Sequence, residues 1–148
     1  MDFDYTFSIP QRGMLSPNEV HFFYYDVMRD MGDKTQVIYE WKGEIEKFLN
    51  KKRIQVEVME KGTITQNVDK NVVLFSTYQN ESKPIAFFRH LRNAFAHHRI
   101  THWGEFLHIE DVQGNDITMK GLIKYQDLKE LCCLFFNQRA SFESDNNL

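Results

Sequence analysis

Apolar positions first recur at helical spacing after Ser16-Pro17-Asn18-Glu19, where a capping hydroxyl, a proline in the first turn and a glutamate three residues after the cap mark a helix start. Val20, Tyr24, Val27 and Met31 then form one face. Gly32-Asp33 breaks or kinks this helix, and Val37, Trp41, Ile45 and Leu49 repeat on one face to an end near Asn50. At Ile54 the period drops to two. Ile54, Val56 and Val58 alternate with polar residues, Lys61-Gly62 offers a turn, and Ile64, Gln66 and Val68 alternate again, which predicts a β-hairpin. Residues 72–78 are short and apolar, a pattern that fits strand or helix, and we lean towards helix. Ser82-Lys83-Pro84 opens a further helix running to about Ile100. Phe106 to Val112 and Ile117 to Tyr125 flank Gln113-Gly114-Asn115-Asp116, a second hairpin signal, and Asp127 caps a last helix through Leu128, Leu131, Cys132 and Phe135. The expected fold is mainly α (α+β): a helical bundle carrying two β-hairpins.

At 148 residues the chain fits one domain, expected over 16–140, with an N-terminal extension (1–15) and a flexible C-terminal tail (141–148). Hydrophobic residues at 42% and charged residues at 26% exclude extensive disorder. A net charge of −3 excludes a polycation that coats nucleic acid, leaving only a local basic patch. The start, Met1-Asp2-Phe3-Asp4-Tyr5, is acidic where a signal peptide is positive, and no apolar run could span a bilayer, so a cytoplasmic protein without membrane contact is expected. Cys132 and Cys133 are neighbours in an apolar run and read as buried structural thiols.

Chemistry concentrates in Lys83 to His102. The segment has no acidic residue, yet it holds four of the six histidines and three of the seven arginines. At 100° per residue, Arg92, Arg89, Asn93, His97 and His90 fall within about 160° of one another, opposite Phe87, Phe88, Leu91 and Phe95. Ala86 and Ala96 among the polar groups leave room for a ligand or helix to approach. Ordinary exposed faces mix charge signs to gain i,i+4 pairs, so an acid-free face favours a functional surface over a merely solvated one.

Arg92-Asn93-Ala94-Phe95-Ala96-His97 resembles the arginine, polar residue, spacer, histidine motif of the HEPN superfamily, helical nucleotide-binding and ribonuclease domains. The longer string from Phe88 to His97 is similar to a plasmid-associated bacterial branch of it. The resemblance implies a metal-independent endoribonuclease acting as a toxin or in abortive infection and phage defence, without cofactor or metal. Arg92, Asn93 and His97 would be catalytic: His97 moves protons, Arg92 holds phosphate charge, and Asn93 bonds the backbone or orients His97. Arg89, His90, His98, Arg99 and His102 would position RNA, and Trp103 could stack a base. Each chain brings one motif histidine, so the resemblance implies a homodimer with a composite cleft. An antitoxin or a nucleotidyltransferase are the other implied partners. The alternative is a non-catalytic nucleotide- or RNA-binding HEPN module.

Overall fold

The structure is a computed structural model that describes residues 13–30, 41, 43–65 and 67–135. Helix α1 (Pro17–His21) opens on the expected capping box: Ser16 Oγ accepts from the Glu19 backbone N–H at 3.3 Å, and Glu19 Oε1 accepts from that of Ser16 at 2.7 Å. The helix continues as a π-helical stretch, Phe22–Asp30. Val20 and Tyr24, expected on the core face, are exposed, whereas Phe22, Phe23 and Val27 are buried. The adjacent phenylalanines carry more apolar area than the Val20/Tyr24 stripe, so their burial sets the helix orientation. Phe23 stacks on Phe95 at 5.5 Å and Phe22 meets Tyr125 edge-on at 5.8 Å. Ile45 and Leu49 of α2 (Gly43–Lys52) are buried as expected. The Gly32-Asp33 break, Met31, Val37, residues 1–12 of the N-terminal extension and the C-terminal tail lie outside the described residues.

The bundle expectation gives way to a mixed five-stranded sheet. Its strands are β1 (Gln55–Val58), β2 (Val72–Phe75), β3 (Ile100–Trp103), β4 (Phe106–Gln113) and β5 (Asp116–Lys124), in the spatial order β1-β2-β5-β4-β3. Strands β1 and β2 pair in parallel and the other neighbours are antiparallel. The first expected hairpin is absent. The chain does turn at Lys61-Gly62, where Gly62 takes a φ of 89° that suits glycine. It then runs on to β2, which displaces residues 64–68 as the partner of β1 because fully buried Val73 and Phe75 offer the sheet more apolar surface. The short run at 72–78, weighed towards helix, is therefore a strand over Val72–Phe75, in keeping with its β-branched and aromatic residues. The second hairpin forms as β4 and β5, and β3 extends it to a meander.

Helix α3 (Lys83–Ala96) starts at Ser82, whose hydroxyl accepts from the Ile85 N–H at 3.4 Å, and packs Phe87, Phe88 and Leu91 into the core. Phe87 meets Phe75 of β2 at 5.7 Å, and Phe88 meets Phe135 of the last helix α4 (125–135) at 5.2 Å. Ala86 is buried in this core and leaves no space for a ligand. The helix stops four residues before its expected end. His97 N–H donates to Asn93 O, His98 N–H to Phe95 O and Arg99 N–H to Ala94 O, a Schellman termination with His98 at φ 58°. Glycine normally occupies that left-handed position, and its absence is why the end is invisible in the sequence. His98, Arg99 and His102 are accordingly off the helix.

Replacing His98 with Gly should relieve the left-handed strain and raise unfolding stability by about 0.5–1 kcal/mol in denaturant titration, after the extra unfolded-state freedom of glycine is deducted. Unchanged or lowered stability would show that His98 gains more from its surroundings than the backbone loses.

Candidate nucleic-acid site

Arg89, Asn93 and His97 follow one another at four-residue intervals, so one face of α3 presents all three. They line a small cleft of about 130 Å³ together with Tyr78 from the β2–α3 connection and Asp111, Gln113 and Thr118 from the β4–β5 hairpin. A register shift between Asp111 and Val112 interrupts the β4–β5 ladder beside it, and Thr118 Oγ1 donates to the Asp111 carbonyl at 3.2 Å.

His90 points inward. It is fully buried, with Nδ1 at 2.7 Å from Asp111 Oδ2 and Nε2 at 2.7 Å from the Ser76 carbonyl. Nδ1–H donates to the carboxylate, Nε2 lies between that carbonyl and Arg89 Nη2 at 3.4 Å, and the side chain ties α3 to two strands. Its burial leaves no surface for the RNA contact expected of it. Asn93 Nδ2 reaches the same Asp111 oxygen at 3.5 Å.

Arg89 is held by Glu81. Nε donates to Oε2 at 2.7 Å and Nη2 to Oε1 at 2.9 Å, a bidentate pair, while the guanidinium lies 3.8 Å from the centre of the Tyr78 ring. Burial alone would raise the Glu81 carboxyl pKa, but the Arg89 hydrogen bond and the Tyr78 backbone N–H prevail and hold it below its ordinary 4.5. Burial opposes the Arg89 charge in the same way, and Glu81 outweighs it, so the guanidinium titrates above its usual range.

The remaining expected contacts are dispersed. Arg99 pairs with Glu110 at 3.5 Å, and Glu110 also takes Lys120 at 3.0 Å. His102 donates to Glu19 at 2.7 Å. Exposed His98 borders an apolar groove with Met14, Val20 and Phe95. Trp103 stacks on His108 with ring centres 3.9 Å apart. Cys132 is buried and its thiol is pushed well up by that burial, which leaves it a packing group, while Cys133 is only partly buried.

Four of the eight cationic or imidazole side chains of the acid-free segment thus receive a carboxylate from elsewhere in the fold: Arg89, His90, Arg99 and His102. Arg92, His97 and His98 receive none among the described residues, and the Arg92 Nε is buried without a hydrogen-bond partner there. His97 opens onto the cleft, whereas Arg92 is not among its lining groups. Sequence reading missed Glu81, Asp111 and Tyr78. One signal for Asp111 existed: Glu110 and Asp111 are neighbours on a strand, so one of the two acids must face the helical layer.

Because folding lowers the Glu81 pKa, the Arg89 pair stabilises the fold above the ordinary carboxyl range and is lost as pH falls through the lowered value. Glu81→Gln should cost about 1 kcal/mol at neutral pH, and its deficit against wild type should shrink by about pH 3. Denaturant titrations at the two pH values test this, and a constant deficit would contradict it.

No curated protein and no solved structure matches the chain. Among the described residues no helix is long and apolar enough to cross a membrane. The family described as HEPN pEK499 p136 matches residues 29–146, a span that takes in the whole sheet, α3 and the arginine-to-histidine motif. At the superfamily level this means a nuclease or nucleotide-binding module. The chain belongs to this plasmid-associated HEPN family.

Proposed function

We propose that the protein is a metal-independent endoribonuclease, with Arg92 and His97 as its chemical pair. The observation that carries this reading is the distribution of counter-charges: the fold supplies carboxylates to Arg89, His90, Arg99 and His102 and leaves Arg92 and His97, together with the exposed His98 just past the helix end, without one among the described residues. A guanidinium without a protein counter-ion suits a phosphate, which it can grip through two oxygens. An exposed imidazole at a helix end can take the 2′-hydroxyl proton or protonate the leaving 5′-oxygen near neutral pH. Asn93, tethered to Asp111, acts as a positioning residue between them.

Within one chain His97 faces the cleft and Arg92 does not, so a single copy offers half of the constellation that in-line attack requires. A two-fold pair of chains, with the ends of both α3 helices at the axis, brings a second arginine and a second histidine to one scissile phosphate. RNA cleavage of this kind would suit a toxin or phage-defence protein held in check by an antitoxin.

His97→Ala should lower the RNA cleavage rate by about 10²- to 10⁴-fold through loss of proton transfer, and Arg92→Ala should do comparable damage through loss of charge stabilisation. Circular dichroism melts of both variants should match wild type. Folded variants that cleave at the wild-type rate would remove both residues from the site, and RNA binding without cleavage by wild type would favour a binding module. Sedimentation over a concentration series should show activity falling as the dimer dissociates, and a fully active monomer would contradict the paired arrangement.

A further inference from the structure

We propose that the cleft beside His97 is a nucleobase pocket that selects bases carrying an exocyclic amine over uracil. The inference takes the neighbouring phosphate from the ribonuclease reading, but the pocket's own chemistry is independent of catalysis.

Charge decides first what the cleft can hold. Its cation, Arg89, is bound through two nitrogens to Glu81, and its carboxylate, Asp111, is bound to His90. With both of these charges matched inside the protein, the cleft has no unpaired permanent cation to offer a phosphate, yet its walls remain polar. A neutral group rich in hydrogen bonds fits that balance, and a nucleobase is the part of an RNA with this character. Tyr78 adds a face for it. The residue is 51% exposed although Arg89 lies over one side of its ring, and an aromatic ring backed by a guanidinium is a platform on which a base can stack.

The orientation of the amides sets the preference. Asn93 turns its NH₂ towards Asp111, and Gln113 turns its NH₂ towards the Tyr78 hydroxyl, each at 3.5 Å. Both amides thereby spend a donor on the protein and keep a carbonyl oxygen to accept, and the Asp111 carboxylate is an acceptor as well. These three acceptors match the amine of cytosine, adenine or guanine. Uracil shows a carbonyl where cytosine shows its amine, and would set oxygen against oxygen. The small cleft admits one base, next to the imidazole that the ribonuclease reading places at the cleaved linkage.

The experiment compares two short single-stranded RNAs of uridine, one with a single central cytidine, by fluorescence anisotropy. The two bases are equal in size and differ at this edge in amine against carbonyl. Wild type should bind the cytidine-containing strand about tenfold more tightly. Gln113→Ala, at an exposed end of the hairpin, should abolish that difference, and Arg92→Ala should weaken both strands equally and flatten their salt dependence. Equal binding of the two strands by wild type, no binding of either, or a difference that survives in Gln113→Ala would each overturn the pocket. Discrimination between the strands by a protein that cleaves neither would sink the ribonuclease reading and leave the pocket standing.

Discussion

The site depends on one buried pair, His90 and Asp111, 2.7 Å apart at the junction of helix and sheet. Taking both groups out of water is costly, and the arrangement holds because the Ser76 carbonyl receives the second ring nitrogen. Removing one partner of such a pair typically costs about 3–5 kcal/mol, since the other is left buried and unmatched. The pair fixes the rotation of α3 against β4 and the end of β2. That rotation sends Phe87 and Leu91 into the core and aims Arg89, Asn93 and His97 at the cleft. It also gives Asn93 its anchor, so the least polar environment in the region organises the most polar one.

Around this junction the fold sorts the basic groups of a single segment by purpose. Arg89 is braced by Glu81 from beyond the helix start, His102 by the capping-box glutamate Glu19, and Arg99 by Glu110. The His102 brace joins elements 83 residues apart, while the Arg89 and Arg99 braces span 8 and 11 residues and hold neighbouring elements together. Arg92 and His97 are left without such partners among the described residues, although they sit in the same segment and share its composition. Uncompensated charge is tolerated where a ligand supplies the compensation, and on the proposed reading RNA phosphate does so for Arg92.

The Arg89, Asn93 and His97 line of α3 was legible because a 14-residue helix with Ser82 at its start repeats its pattern for several turns, whereas His90 and Ala86, expected on the same face, are buried. The aromatic side of that helix, the β4–β5 turn and the capping box were legible for similar local reasons. The sheet was not. β1 and β2 pair in parallel across a long connection, and a parallel partner leaves no turn signal to read. The end of α3 was hidden because histidine takes the place that glycine would have announced. The Lys83 to His102 segment looked free of acid because its partners Glu19, Glu81, Glu110 and Asp111 lie outside it, and pairing of that kind exists only after folding.

The central claim is that the Arg92 and His97 groups cleave RNA by directing the 2′-hydroxyl onto the adjacent phosphorus. The most direct measurement is cleavage, in the presence of EDTA, of a matched pair of RNA strands, one with a single deoxyribose at the preferred linkage. The account predicts that EDTA leaves the all-ribose strand cut to a 2′,3′-cyclic phosphate end and that the deoxy linkage resists while binding survives. Undiminished cutting at the deoxy linkage, or loss of all cutting on chelation, would contradict it and make a metal-activated water the nucleophile.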